Sequence, residues 1–474
     1  HRPAADLHPF EAAATEYDAD AIAALEDADR RFLWKPFTQM AGYVAGAPLV
    51  IAEGRGAWLR DVRGRVLLDG VSSLWVNVHG HGHPAITRAL RDQLDRLDHA
   101  TLLGPTNVPA VRLAERLVGV APGDGRLSRV FFSDSGSTAV EIAVKMAYQF
   151  HAQHRDPAQR VRDVFVCLTD AYHGDTIGAV SVGGIELFHQ LYAPLLFHTV
   201  KTPAPDPFHR AFGGDPVAHE ADCLAAMETV FAAHAGRVAA LVMEPLVQGA
   251  AGMKMHSPEF LRDAAAIARR HGALLLLDEV ATGFGRTGTM FACTQAGLTP
   301  DLLCVAKGLT GGVLPLAATL ASEAVYAGFL GEFSEYRTFF HGHSYTGNPL
   351  ACAAALASLE IFARDGVLER VGVAAERLRG HLEVIGRHPG VGDVRQRGLM
   401  VGIELVRDRA TGAAWGGELR VGNKVIERAL EHGVLLRPLG DVVVLMPPLS
   451  ISDDELDLLA GVTLRCIAEV DAEL

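Results

Sequence analysis

The chain has 474 residues, 49% of them hydrophobic, a formal charge of -13 and six cysteines. That length allows a large core shared by two or three domains, and the acidic balance argues against nucleic acid and anionic membrane surfaces as partners. The cysteines show no CxxC spacing, no apolar run reaches the length of a membrane span, and the acidic, alanine-rich start lacks the features of a signal peptide; a cytoplasmic globular protein with reduced thiols is expected.

In chain order, residues 1–30 read as a lightly ordered lead-in followed by an acidic helix. An aromatic segment broken by proline, Phe32 to Met40, comes next. Strand-like pieces at Leu49–Ile51 and Ala57–Leu59 precede a turn at Asp61-Val62-Arg63-Gly64-Arg65, which returns the chain into Val66–Leu68 as a hairpin partner. Strands and helices then alternate: Val130–Phe132, the helix Ala139–Phe150, Val164–Leu168, Ala239–Met243, the helix Glu259–Arg270, Ala273–Leu277 and Leu302–Ala306. Short apolar runs separated by helical patterns predict a mostly parallel α/β sheet. From about Val367 the texture shifts to surface helices and short strands such as Leu399–Leu405 and Val442–Leu445, as in a smaller α+β domain.

Two charged residues end buried runs. Lys307 closes Leu302–Ala306 and is followed at once by Gly308, while Asp278 closes Ala273–Leu277. Each is costly to bury alone. Placed at the carboxyl edge of one sheet, they meet where such folds bind ligands. A lysine that forms an imine with an aldehyde, and an aspartate that faces a protonated pyridine nitrogen, are the two protein partners that pyridoxal 5'-phosphate requires. Ser133-Asp134-Ser135-Gly136-Ser137-Thr138 lies between a strand and a helix and offers unpaired amides to a phosphate. Ordinary capping of that helix is compatible with the same residues. Tyr172, in Tyr172-His173-Gly174-Asp175 after the strand Val164–Leu168, is placed to stack on a flat ring.

Three other motifs carry less. Gly283-Phe284-Gly285-Arg286-Thr287-Gly288 matches GxGxxG, but acidic residues stand before it and no helix opens at its glycines. His79, His81 and His83 alternate with glycines and lack a cysteine or acidic companion at ligand spacing, so no metal site is expected. Gly342-His343-Ser344-Tyr345-Thr346 lacks the final glycine of a serine-hydrolase elbow.

Together these stretches resemble the class III, fold-type-I pyridoxal-phosphate aminotransferases, from about Phe32 to Pro448. The carrying pattern is Asp278-Glu279-Val280, then Gly283 to Gly288, then Lys307-Gly308. The resemblance implies a large domain with a mostly parallel seven-stranded sheet flanked by helices, plus a smaller α+β domain. It divides the chain into an N-terminal segment (1–78), a cofactor domain (79–366) and a C-terminal domain (367–474).

Within the family the chain is most similar to the branch of biotin synthesis that converts 8-amino-7-oxononanoate into 7,8-diaminononanoate. The stretches Trp34 to Met40, Asn77 to Pro84, Glu244 to Ala250, His341 to Pro349 and Arg437 to Gly440 carry that likeness. It implies Lys307, Tyr172 and Asp278 as catalytic residues. Gly136, Ser137, His173 and, from a partner subunit, Ser344 would complete the cofactor site, which makes a homodimer with shared active sites the expected unit. Phe37, Trp75, Asp175, Gly342 and Arg437 would line the substrate pocket, with Arg437 on the substrate carboxylate. Members that use S-adenosylmethionine as amino donor typically carry tyrosines where Phe37 and Val444 stand, and a tryptophan pair where Leu74-Trp75 stands. Lysine is therefore the expected donor. The same enzyme using S-adenosylmethionine, or another class III ω-amino-acid or diamine aminotransferase, is the alternative.

Overall fold

The computed structural model describes residues 7–10, 17–206, 208 and 215–474. Much of the expected lead-in thus falls outside the described residues, and the acidic helix follows as Ala19–Phe32, capped by Asp18.

The strands of the central sheet are β1 (Leu127–Ser133), β2 (Val164–Leu168), β3 (Val200–Thr202), β4 (Val238–Met243), β5 (Leu274–Asp278), β6 (Leu302–Val305) and β7 (Ala317–Ser322). They lie in the order β1-β7-β6-β5-β4-β2-β3, a seven-stranded sheet. The pairs from β3 through to β6 are all parallel. Only β7 runs against its neighbours β6 and β1, so β1 points the same way as the rest. β2, β4 and β6 are buried along their whole length, which is why their sequences are continuous apolar runs rather than alternating ones. No helix among the described residues is long and apolar enough to cross a membrane, and all six cysteines are buried, with no disulfide among the described residues.

Two smaller antiparallel systems stand beside this sheet. Ile51–Arg55, Trp58–Asp61 and Val66–Asp69 form a meander that takes Val434–Leu435 as a parallel fourth strand. The turn at 61–65 is held by Asp61, whose Oδ1 accepts the amides of Arg63 (3.0 Å) and Arg65 (2.8 Å). The first strand starts at Ile51 rather than Leu49, because its pairing with Asp61 begins there. The C-terminal strands Val391–Arg397, Met400–Leu405, Val442–Leu445 and Arg437–Leu439 form the other sheet.

Candidate active site

The titratable residues around Lys307 sit at, or just past, the carboxyl ends of the central strands. Asp278 is the last residue of β5 and Lys307 stands two residues beyond β6, its parallel neighbour. Glu244 follows β4, Tyr172 and His173 follow β2, and Ser135 to Ser137 follow β1. The shared strand direction brings them to one edge of the sheet, where they line a cavity of about 680 Å³.

Lys307 has φ of +45°, and Trp75, beside it in the cavity, has φ of +64°. Non-glycine residues held there cost about 1–3 kcal/mol each and persist where the surroundings over-determine them. The Lys307 ammonium lies 4.8 Å from the centre of the Trp75 ring. Burial pushes the pKa of Lys307 down, opposed by the charges of Asp278 and Glu244. The result is an amine that gives up its proton more easily than an exposed lysine.

Asp278 is buried and held from two sides. Its Oδ1 accepts the Val280 amide (3.0 Å) and its Oδ2 meets His173 Nδ1 (2.8 Å). His173 is itself buried, and its Nε2 has no partner among the described residues. Tyr172 donates its hydroxyl to Asp175 Oδ2 (2.8 Å), and burial together with that carboxylate raises its pKa.

The helix Gly136–Ala152 opens on a reciprocal capping box, in which Ser135 Oγ accepts the Thr138 amide (3.3 Å) and Thr138 Oγ1 accepts the Ser135 amide (3.1 Å). The amides of Gly136 and Ser137 keep no acceptor among the described residues, so two donors at a helix start face the cavity. A Cβ on Gly136 would come within 2.5 Å of Val280 Cγ1. Glycine is needed there for the chain to pass that close.

Arg437 and Phe37 line a second cavity, of about 430 Å³, that meets the first at Ala250. The Phe37 ring packs edge-on against Phe188 at 5.4 Å, and Phe188 in turn approaches Tyr172 at 6.3 Å. Lys254 and Arg395 in this cavity are each paired with two carboxylates. Arg437 forms no such pair among the described residues.

Lys307, Asp278, Tyr172, His173, Gly136, Ser137, Trp75 and Asp175 therefore line one cavity, with Phe37 and Arg437 next door. Gly342 and Ser344 do not join them: both are exposed and line neither cavity of this chain. Leu74 also lies outside both cavities, and Val444 is wholly buried on its strand. The glycines of 283–288 open no helix, and Arg286 from that loop is buried with its guanidinium on the carbonyls of Pro447 (2.6 Å) and Asn77 (2.8 Å). The histidine loop is divided among neighbours: His79 meets Ser358 Oγ (3.0 Å) and His81 meets Asp69 (2.8 Å).

Glu244 was not singled out from the sequence as a site residue, although the signal was there. It ends the apolar run Val238–Met243 just as Asp278 ends its own. Its Oε1 accepts the Tyr172 amide and its Oε2 the Gly249 amide, both at 3.0 Å. Burial pushes its pKa up to about 7, with Asp278 adding to the rise and His173 opposing it. A carboxyl raised on folding stabilises the protein at low pH and loses that contribution as pH climbs from the unfolded range through about 7. Melting temperature is thus expected to fall more for the wild type than for Glu244→Gln between about pH 5 and about pH 8. Parallel melting curves would contradict the raised carboxyl.

The aminotransferase class-III sequence profile matches residues 40–467. The chain belongs to the class-III aminotransferases. A Geobacter sulfurreducens protein named adenosylmethionine-8-amino-7-oxononanoate aminotransferase is 51% identical over 94% of this chain and 96% of its own length. An Aquifex aeolicus protein of the same name is 46% identical over 95% and 98%. The crystal structure of the Methanocaldococcus jannaschii enzyme so named superposes with a TM-score of 0.89 at 42% identity, over 94% of this chain and 99% of the other. An amine transaminase from an uncultivated Pseudomonas species, solved with pyridoxal phosphate bound, gives a TM-score of 0.86 at 34% identity, over 94% and 99%.

As a class-III aminotransferase the chain is a pyridoxal-phosphate-dependent transaminase of the α/β fold described above. Its residues fit the cofactor: free amides at a helix start suit the phosphate, a buried carboxylate suits a ring cation, and an amine with a depressed pKa suits an aldehyde.

Proposed function

We propose that this class-III aminotransferase places an amino group on 8-amino-7-oxononanoate to give 7,8-diaminononanoate, a step of biotin synthesis, with lysine as the donor. The observation that carries the acceptor is Arg437, a guanidinium without a carboxylate partner among the described residues, in a cavity that joins the one around Lys307. An apolar chain with a carboxylate at one end and a ketone at the other suits that pair of spaces. The printed names of the relatives above support the same acceptor.

Bound pyridoxal phosphate supplies an electron-poor ring that accepts charge from the carbon bearing the amine. Lys307 would be its linking amine, the Gly136 and Ser137 amides would hold its phosphate, and Tyr172 would cover its ring. Asp278, oriented by His173, would stabilise positive charge on the ring nitrogen. Lys307 Nζ, once neutral, moves a proton at the substrate carbon, a task its lowered pKa suits. Arg437 anchors the far carboxylate and so sets which carbon meets Lys307.

Lysine is favoured by Phe37, which brings a ring without a hydroxyl to the second cavity, and by the lack of an aromatic ring at Leu74 and at Val444, although those two positions lie outside both cavities of this chain. The relatives' names favour S-adenosylmethionine as the second reading. The proposed active unit is a cytoplasmic homodimer, with Ser344 and Gly342, exposed on this chain, completing the neighbouring site.

Arg437→Ala tests the acceptor. It is expected to raise KM for the oxononanoate about 100-fold, equivalent to about 2.8 kcal/mol, while kcat changes little. An unchanged KM would remove Arg437 from substrate binding and the acceptor assignment with it.

A further inference from the structure

The two loops that would hold the ring and the phosphate are joined by a chain of three side chains that no role above uses. Ser137 Oγ accepts the Thr176 amide (2.9 Å) and lies 2.9 Å from Thr176 Oγ1. Thr176 Oγ1 in turn donates to Glu141 Oε2 (2.8 Å), which also accepts the Ala179 amide (3.0 Å). Glu141 lies on the helix that begins at Gly136, and Thr176 stands four residues after Tyr172.

The direction of this chain follows from proton counting. An ionised carboxylate only accepts, so Thr176 spends its single hydroxyl proton on Glu141. The contact between Ser137 and Thr176 is then donated by Ser137. Ser137 thus commits its hydroxyl to Thr176 and leaves its backbone N–H, which has no acceptor among the described residues, for the cavity. Glycines let the segments meet this closely. A Cβ on Gly174, whose φ is +115°, would run into the Ser137 side chain, and one on Gly178 would run into the Glu141 carboxylate.

We propose that Thr176 and Glu141 are positioning residues that lock the phosphate-binding helix start to the Tyr172 loop, the two segments that would hold the phosphate and the ring of one pyridoxal phosphate molecule. The clamp rests on the cofactor assignment made above. Thr176 lines the cavity and Glu141 does not, and neither is hydrogen-bonded to Lys307, so loss of the clamp weakens the hold on a ligand that has both ring and phosphate, and spares one that has the ring alone.

The test is equilibrium binding of pyridoxal phosphate, and separately of pyridoxal, to cofactor-stripped full-length protein. Thr176→Val and Glu141→Ala are each expected to raise the Kd for pyridoxal phosphate about tenfold, with the double variant no worse than either, as for members of one chain. Pyridoxal is expected to bind all variants within about twofold of the wild type, and Thr176→Ser to retain wild-type affinity for both ligands. An unchanged Kd in Thr176→Val would overturn the clamp. Equal weakening for pyridoxal and pyridoxal phosphate would overturn it too, by showing general loosening. A wild type that binds no pyridoxal phosphate would instead overturn the cofactor assignment on which the clamp stands.

Discussion

Lys307→Ala is expected to lower turnover by at least about 10⁴-fold, because the side chain proposed to link to the cofactor is also the one proposed to move the proton. The structure leaves no substitute. The other lysine near the two cavities, Lys254, is tied to Asp170 (2.9 Å) and Asp206 (2.6 Å) and lines only the outer space. The fold is expected to survive, since the side chain crosses the cavity rather than the core, and removing a part-buried cation relieves a desolvation cost. Steady-state turnover and a melting curve on the same purified sample check both halves. Activity within tenfold of the wild type would remove Lys307 from the chemistry.

Asp278→Asn carries the second largest effect, about a 10³-fold loss in kcat. Asparagine has nearly the same shape, and its amide oxygen can still accept from Val280 or from His173. What it lacks is the negative charge. Without it, positive charge on the cofactor ring is no longer favoured in a buried site, and the ring becomes a poorer acceptor of electrons. Melting temperature is expected to stay close to that of the wild type. Near-normal kcat would sink the assignment of Asp278 to the ring nitrogen.

The parts of the site that were legible in the sequence share one physical cause. A charge is costly inside a sheet, so Asp278 and Lys307 stood out at the ends of apolar runs, and parallel strands deliver such ends to one edge. Glu244 obeys the same rule and could have been named by it. Glu141 could not: it is a glutamate on an ordinary helix, and its bond to Thr176 depends on how two loops approach each other. Trp75 was placed in the pocket by resemblance, but its φ of +64° and its contact with Lys307 follow only from the packing.

The fold shows the same division. The large apolar strands were readable from their side chains. β7 was not, because Ala317-Ala318-Thr319-Leu320-Ala321-Ser322 is rich in alanine and small residues, which carry no strand signal. Its place between β1 and β6 buries it almost completely, and close packing there favours small side chains. β3 is only three residues long and lies at the sheet edge, too short for a pattern.

The most direct test of the central claim is product analysis by mass spectrometry, with purified enzyme, 8-amino-7-oxononanoate and one amino donor at a time. The expected result is 7,8-diaminononanoate, formed with lysine and formed poorly with S-adenosylmethionine. Diamine formed with S-adenosylmethionine alone would keep the acceptor and overturn the donor. No diamine with either donor, alongside ready amino transfer to pyruvate or 2-oxoglutarate, would contradict the account and leave a general ω-aminotransferase in its place.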